Sequence, residues 1–241
     1  MDRSKRHFLT LLCLLGVATL CRASERDKDD DKIRIVLVGD STVASKSGWG
    51  DAFADLLEEK AKCFNEAKGG RSSKSFRDEG HWQRALDHRP AWVLIQFGHN
   101  DQPGKGPERE TDPKASFREN LARYVDETRA IGAQPILVTS LTRRNFANGR
   151  LVRDLAEYVE ATKSVAAEKK VPLVDLNARS IEQAEKLGPK GLEPMEPWGK
   201  PAWTKDHTHL NKLGAKLVAP LVVEELRKVA PELAKLIREE K

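Results

Sequence analysis

Short apolar runs rich in β-branched residues alternate along this chain with longer stretches whose apolar residues recur every three or four positions. Such alternation commits a chain to strand–helix–strand units, and so to a parallel sheet covered on both faces. Ile33–Val38 (IRIVLV) reads as the first strand and ends in Gly39, and Trp92–Phe97 (WVLIQF) ends in Gly98. Pro135–Thr139 and Val171–Leu176 follow, with a weaker strand at Cys63–Ala67. Ser116–Ile131 sets Phe117, Leu121, Tyr124, Val125 and Ile131 near one helical face, with Asp112 and Pro113 as N-cap and first residue. Leu151–Ala167 repeats the arrangement with Leu151, Leu155, Tyr158, Val159, Thr162 and Ala166. Lys212–Val229 is the last long helix, expected to bend at Pro220, which has no N–H to offer the preceding turn. Gly188–Ala202 carries many of the Pro and Gly residues and reads as an irregular loop. Five strands in one layer fit residues 33–241 as a single-domain, three-layer α/β/α sandwich with a five-stranded parallel sheet. Ligands of such sheets sit beyond the carboxyl ends of the strands, so the residues just after each strand are where chemistry belongs.

Composition narrows the class of partner. Of 241 residues 39% are hydrophobic and 33% charged, enough for a sizeable core under a solvated surface. The net charge of +5 is spread along the chain rather than gathered into a stripe, which argues against nucleic acid as a partner. Three cysteines do not make a disulfide framework. At the N-terminus Arg3, Lys5 and Arg6 precede a mostly apolar run, Phe8–Leu20, and Ala23 offers a small residue for cleavage. This is the layout of a secretory signal over residues 1–23, and the run is too short for a comfortable membrane span. A lipid anchor on Cys21 is the competing reading, disfavoured by Leu20 where a small residue is wanted. Cleavage after Ala23 leaves Cys63 as the one thiol and predicts an exported protein, periplasmic or extracellular, with no stable membrane insertion. Residues 24–32 (SERDKDDDK) read as a charged linker. Nothing in the sequence specifies an oligomeric state.

Four polar clusters stand at strand ends or before a helix: Gly39-Asp40-Ser41-Thr42, Gly69-Gly70-Arg71-Ser72, Gly98-His99-Asn100-Asp101 and Asp206-His207-Thr208-His209. Each alone has a bland reading as a turn or helix cap. Asp206, His207 and His209 also bear reading as a metal site, although no third strong ligand cluster accompanies them. Ser41 is followed by Thr42-Val43, so the G-x-S-x-G elbow of the α/β-hydrolases is absent.

Taken together the clusters resemble the four blocks of the SGNH (GDSL-type) hydrolases, and the strings GDSTV, GRSSKSF, FGHNDQ and DHTHLN resemble the rhamnogalacturonan acetylesterase branch. The resemblance runs from Ile33 to the last long helix. It implies the flavodoxin-like SGNH hydrolase fold and a serine esterase that removes acetyl groups from a polysaccharide, most simply pectic rhamnogalacturonan, without metal or cofactor. Acyl transfer needs an activated nucleophile, an oriented base and donors for the oxyanion. The resemblance assigns Ser41 as nucleophile, His209 as base and Asp206 as its partner, with the N–H groups of Ser41 and Gly70 and the side-chain amide of Asn100 as the oxyanion hole. Asp101 reads as a loop hydrogen-bonder and Cys63 as a small buried hydrophobe. Arg143 and Arg144 follow the Pro135–Thr139 strand and are candidates for galacturonate carboxylates, with Arg71 and Lys74 as further cations near the nucleophile. Trp82, Trp198 and above all Trp203 are candidate sugar platforms, and His207 lines the pocket or supports it. The other readings are an esterase for acetylated xylan, a lipid or a small acyl ester or thioester, and a non-catalytic carbohydrate-binding protein that keeps the fold.

Overall fold

The computed structural model describes residues 31–197 and 205–239. The chain divides into Met1–Lys32 and Ile33–Lys241, and the second unit holds all the structure that follows. The expected signal, most of the expected linker, and Trp198 and Trp203 lie outside the described residues.

In chain order the elements are β1 (Ile33–Gly39), α1 (Gly50–Ala54), β2 (Ala61–Asn65), α2 (Ser75–Asp78), α3 (His81–Asp87), β3 (Trp92–Gln96), α4 (Ser116–Ala130) and β4 (Gln134–Val138). A hairpin of β5 (Phe146–Ala147) and β6 (Arg150–Leu151) comes next, then α5 (Ala156–Lys169), β7 (Leu173–Val174), α6 (Leu176–Leu192), α7 (Lys212–Val229) and α8 (Pro231–Ala234). Five strands form one parallel sheet in the order β2-β1-β3-β4-β7.

Successive side chains of a strand point to opposite faces, and here both faces are dry. Ile35 and Leu37 of β1 join Trp49, Phe53 of α1, Val218 and Val222 of α7 and Leu233 of α8 in one core. Val36 and Val38 join Trp82 of α3, Leu121 and Tyr124 of α4 and Val165 of α5 in the other. These four β1 residues are fully buried, so Ile35–Val38 reads as continuous apolar rather than alternating. The result is the three-layer α/β/α sandwich that the strand–helix alternation requires.

The chain leaves β1 toward β2 at one side and then crosses back to β3 at the other. That reversal opens a crevice between the carboxyl ends of β1 and β3. Gly39 ends β1 there, and any Cβ on it would lie 2.6 Å from the Gln96 carbonyl and 2.7 Å from Val43 Cγ2.

Several boundaries differ from the sequence expectation for local reasons. Asp112 Oδ1 accepts from the Lys114 N–H within a turn, so α4 starts at Ser116 rather than at Pro113. Leu151 lies in the hairpin, because Asn148 and Gly149 both take positive φ (50° and 74°), as a two-residue primed turn demands. The strand expected over Val171–Leu176 shrinks to Leu173–Val174, since Asp175 caps α6 by accepting from the Ala178 N–H. Gly188 breaks the helical geometry of α6 (φ 64°, ψ 175°), and a further turn follows it where an irregular loop was expected to begin. Trp82 is no sugar platform: it is buried, meets Tyr124 edge-on at 4.7 Å and donates its Nε1–H to Glu127 at 2.5 Å.

Candidate active site

The turn after β1 is built around a buried carboxylate. Asp40 Oδ1 accepts from the Thr42 N–H and hydroxyl, each at 2.8 Å. Gln96, on the neighbouring β3, donates to the Thr42 oxygen at 2.6 Å and accepts from the Trp49 indole at 3.0 Å. This chain of bonds fixes the turn, and Ser47 closes it by donating to the Ser41 carbonyl at 2.7 Å. Burial alone would raise the Asp40 carboxyl. The His99 ring, with Nδ1 at 3.4 Å from Oδ2, and the Thr42 donors outweigh it and hold the group below its ordinary value.

His209 reaches Ser41 from the far end of the chain. Its Nε2 lies 2.8 Å from the Ser41 Oγ, and its Nδ1 lies 2.8 Å from Asp206 Oδ2. Asp206 Oδ1 also accepts from the N–H groups of Thr208 (3.1 Å) and His209 (2.9 Å), so the carboxylate is locked to its own loop. With Nδ1–H donating to Asp206, Nε2 keeps the lone pair that can take the Ser41 proton.

Two glycine-containing loops face the serine. A Cβ on Gly69 would stand 3.7 Å from the Ser41 Cβ, and Gly70 takes φ +77°, a conformation that favours glycine. Asn100 donates one amide hydrogen to the Arg71 carbonyl at 3.2 Å, tying the loop after β3 to the loop after β2. Among the described residues the Ser41 and Gly70 N–H groups have no acceptor. The arrangement therefore presents a polarised hydroxyl beside two free backbone donors and a side-chain amide.

Asp101 is the fastener beneath these loops, as expected of a loop hydrogen-bonder. Its carboxyl accepts from the Ser73 N–H (3.0 Å) and hydroxyl (2.5 Å), the Thr111 hydroxyl (2.9 Å) and the Gly98 N–H (3.0 Å). Burial pushes the group up to about 7 despite the pull of the Ser73 and Thr111 bonds. Sequence reasoning missed Ser73, Thr111 and the supporting Tyr124 and Tyr158 hydroxyls, which bond the Ser73, Asp101 and Thr111 carbonyls. None of them belongs to a recognisable spacing, and only adjacency to Asn100 marks Asp101. Cys63 is half-buried beside β1 rather than fully buried as expected, and burial raises its thiol to about 12, which favours the protonated form.

The candidate cations are redistributed. Arg144 is not on the rim: it is 5% exposed and its guanidinium is turned onto the backbone of residues 206–209. Arg143 does line a cleft of about 520 Å³ beside Asp206 and His207, where it pairs with Asp154 at 2.7 Å. Lys105 and Lys205 line the same cleft. Arg71 is paired with Glu79 and Lys74 with Asp78, so neither is an open cation. His207 lines the cleft and holds Glu196 at 2.8 Å through Nδ1. Because His207 and His209 each have a separate carboxylate, they do not converge on one point. Among the described residues no group of three or more His, Cys, Asp or Glu is placed to hold a metal ion.

A model of the GDSL-like lipase/acylhydrolase family matches residues 37–217. Rhamnogalacturonan acetylesterase RhgT of Bacillus subtilis is 38% identical over 214 residues, which is 82% of this chain and 90% of that one. The rhamnogalacturonan acetylesterase of Emericella nidulans is 31% identical over 208 residues, 77% of this chain and 81% of its own. Among solved structures, Bacillus subtilis YxiM superposes with a TM-score of 0.69 at 28% identity, over 82% of this chain and 56% of that one. The acetylxylan esterase Axe2 of Geobacillus stearothermophilus gives a TM-score of 0.61 at 16% identity, over 80% of this chain and 94% of its own, a likeness of fold alone.

Proposed function

The chain belongs to the GDSL-like lipase/acylhydrolase family, and we propose that within it the protein is an exported acetylesterase acting on an acetylated polysaccharide, with acetylated rhamnogalacturonan as the substrate. The observation that carries this reading is the hydrogen-bonded line Ser41–His209–Asp206, with both links at 2.8 Å. Ser41 Oγ attacks the acetyl carbonyl while His209 Nε2 takes its proton. The Ser41 and Gly70 N–H groups and the second amide hydrogen of Asn100 receive the oxyanion. His209 then protonates the departing sugar oxygen as the acyl–oxygen bond breaks. Water, deprotonated by the same imidazole, attacks the acetyl-serine, and acetate leaves as His209 returns the proton to Ser41 Oγ. Losing one oxyanion donor, as in Asn100→Ala, is expected to cost on the order of 10²–10³ in turnover.

The substrate assignment is supported by the 38% identity to RhgT and by the polar cleft beside Asp206. There Lys105 stands beside Arg143 and Lys205, the last two paired with Asp154 and Glu193, a lining that suits a carboxylate-bearing polymer better than a long acyl chain. Acetate release from acetylated rhamnogalacturonan, compared with acetylated xylan and long-chain 4-nitrophenyl esters, tests it. Preference for the pectic polymer, lost in Ser41→Ala, is the expected result. Preference for xylan or long acyl chains would move the enzyme to another substrate, and no acetate from any would leave a binding protein. Export is tested by N-terminal sequencing of protein recovered outside the cytoplasm. A mature start at Ser24 is expected, and an intact Met1 or a lipid on Cys21 would overturn it. No helix among the described residues is long and apolar enough to cross a membrane.

A further inference from the structure

Every backbone carbonyl of residues 206–209 accepts a hydrogen bond from Arg144. The Arg144 N–H donates to the His207 oxygen at 2.8 Å. Its Nη2 donates to the Asp206 oxygen at 3.0 Å and the His209 oxygen at 2.6 Å, and its Nη1 to the Thr208 oxygen at 3.5 Å. On the other side of the same segment, the Asp206 carboxylate takes the Thr208 and His209 N–H groups. The segment is thus held between a carboxylate that takes two of its N–H groups and a guanidinium that meets three of its carbonyls, the fourth being met by the Arg144 backbone N–H.

Residues 206–209 lie in neither helix nor strand, so no regular ladder pairs their carbonyls, and shielding these from water is costly unless donors meet them. A planar guanidinium carries five donors in a fixed fork, whereas a lysine ammonium is a point charge on a flexible stem. The Arg144 side chain sits in a dry place to do this. Burial lowers its basicity, and the nearby Glu196 and Asp206 charges work the other way. The adjoining helix has its own fastening, because the Asn211 side chain accepts from the Gly214 N–H at 2.9 Å and donates to the Pro194 and Glu196 carbonyls at 2.7 Å. The loss of Arg144 therefore falls on the segment that carries the histidine rather than on the start of α7.

We infer that Arg144 is a positioning residue, which holds segment 206–209 in the register that brings His209 Nε2 to the Ser41 hydroxyl. The inference rests on reading Ser41, His209 and Asp206 as the acyl-transfer machinery. Misplacing a reacting group by about 1 Å costs on the order of 10² in rate, and here it costs turnover rather than binding, since Arg144 faces the loop backbone and not the cleft.

The test is turnover of 4-nitrophenyl acetate by Arg144→Ala and Arg144→Lys, with kcat and KM resolved and thermal unfolding recorded alongside. For Arg144→Ala, kcat should fall on the order of 10²-fold with KM within about twofold of the parent. Millimolar guanidinium ion should restore part of it, and should do nothing for Ser41→Ala. Arg144→Lys should keep an intermediate kcat, and it decides the matter alone if the alanine variant does not fold. In Arg144→Lys the low-field proton resonance of the His209 Nδ1–H should broaden or move, reporting a loosened Asp206 link that a purely structural role would leave in place. A parent-like kcat in the lysine variant, a loss carried by KM, or a folded Arg144→Ala indifferent to guanidinium would each overturn the inference. Full turnover in Ser41→Ala would overturn the reading of the site itself, whereas a dead Ser41→Ala beside a parent-like Arg144→Ala would remove only the role of Arg144.

Discussion

Asp40, in the turn that carries Ser41, and Asp101, in the loop after β3, are carboxylates sealed from water, and burial works against the charge of both. At Asp40 the His99 ring and the Thr42 donors outweigh burial and the group stays acidic. At Asp101 burial wins, and the group rises from an ordinary 3.8 to about 7. The two therefore act on stability in different windows and with opposite sign. A lowered pKa contributes stability that is lost as pH falls through it, so Asp40 matters on the acid side of its ordinary range. A raised pKa means that the fold binds the proton better than the unfolded chain does. The Asp101 contribution accordingly declines as pH climbs from about 4 to about 7 and is flat above. Urea unfolding of the parent and of Asp101→Asn across that range checks this: the parent should lose more stability with rising pH than the variant, and parallel curves would mean that Asp101 is ionised throughout. The proposed nucleophile and base, Ser41 and His209, give a second expectation. Ser41→Ala and His209→Ala should each abolish nearly all acetate release, and because the two act as one unit the double variant should be little worse than either single.

At the scale of elements, what was legible in the sequence is what rests on periodicity and burial. β1 is apolar and buried from Ile35 to Val38 because both faces of a parallel sheet are covered, and α7 spans its expected range because Val218, Val222 and Leu226 recur on one face. The four polar clusters were legible for the same reason, since each follows a strand or precedes a helix whose position the apolar pattern sets. What was not legible depends on single side chains choosing partners far along the chain. Asp175 ends β7 and caps α6, but it also accepts from the Thr139 hydroxyl at 2.9 Å and pairs with Lys163 at 3.0 Å. No periodicity announces that convergence, so Leu176 reads as the end of a strand when it is the first residue of a helix. The Arg143–Arg144 pair shows the same limit: neighbours in sequence, one lines the cleft and the other is buried against the loop carbonyls. Replacing Asp175 with Ala should destabilise the fold by roughly 1–2 kcal/mol through the lost cap, measured as a fall in the urea midpoint with an unchanged slope. A change within error would mean that water replaces the carboxylate at the helix start.

At the scale of the whole molecule, the crevice at the β1–β3 reversal and the cleft beside Asp206 divide the work. On the proposed reading the first holds Ser41 and His209, and the second, lined by Arg143, Asp206 and His207, would take the sugars that flank the ester. Charge in that second region is mostly committed, with Arg143 on Asp154 and Lys205 on Glu193. Lys105 has no partner among the described residues and faces the same cleft. A galacturonate carboxylate entering there would meet Lys105 without first breaking an ion pair, whereas Arg143 would have to leave Asp154 or share it. Lys105→Gln should therefore raise KM for acetylated rhamnogalacturonan while leaving turnover of a small neutral acetate ester unchanged. The effect should be modest, about 1 kcal/mol or less for a contact that stays open to water, and it should shrink as salt is raised because exposed charges are screened within a Debye length. Arg143→Gln differs in kind: it also frees Asp154, placing an unpaired carboxylate in the path of an anionic polymer, so its loss on the polymer should exceed that of Lys105→Gln. Kinetics of the two variants on polymer and neutral ester, at low and high salt, decide the matter. Equal losses on both substrates would make these side chains supports of the fold, and a polymer KM indifferent to either would take the carboxylate-binding role away from this cleft.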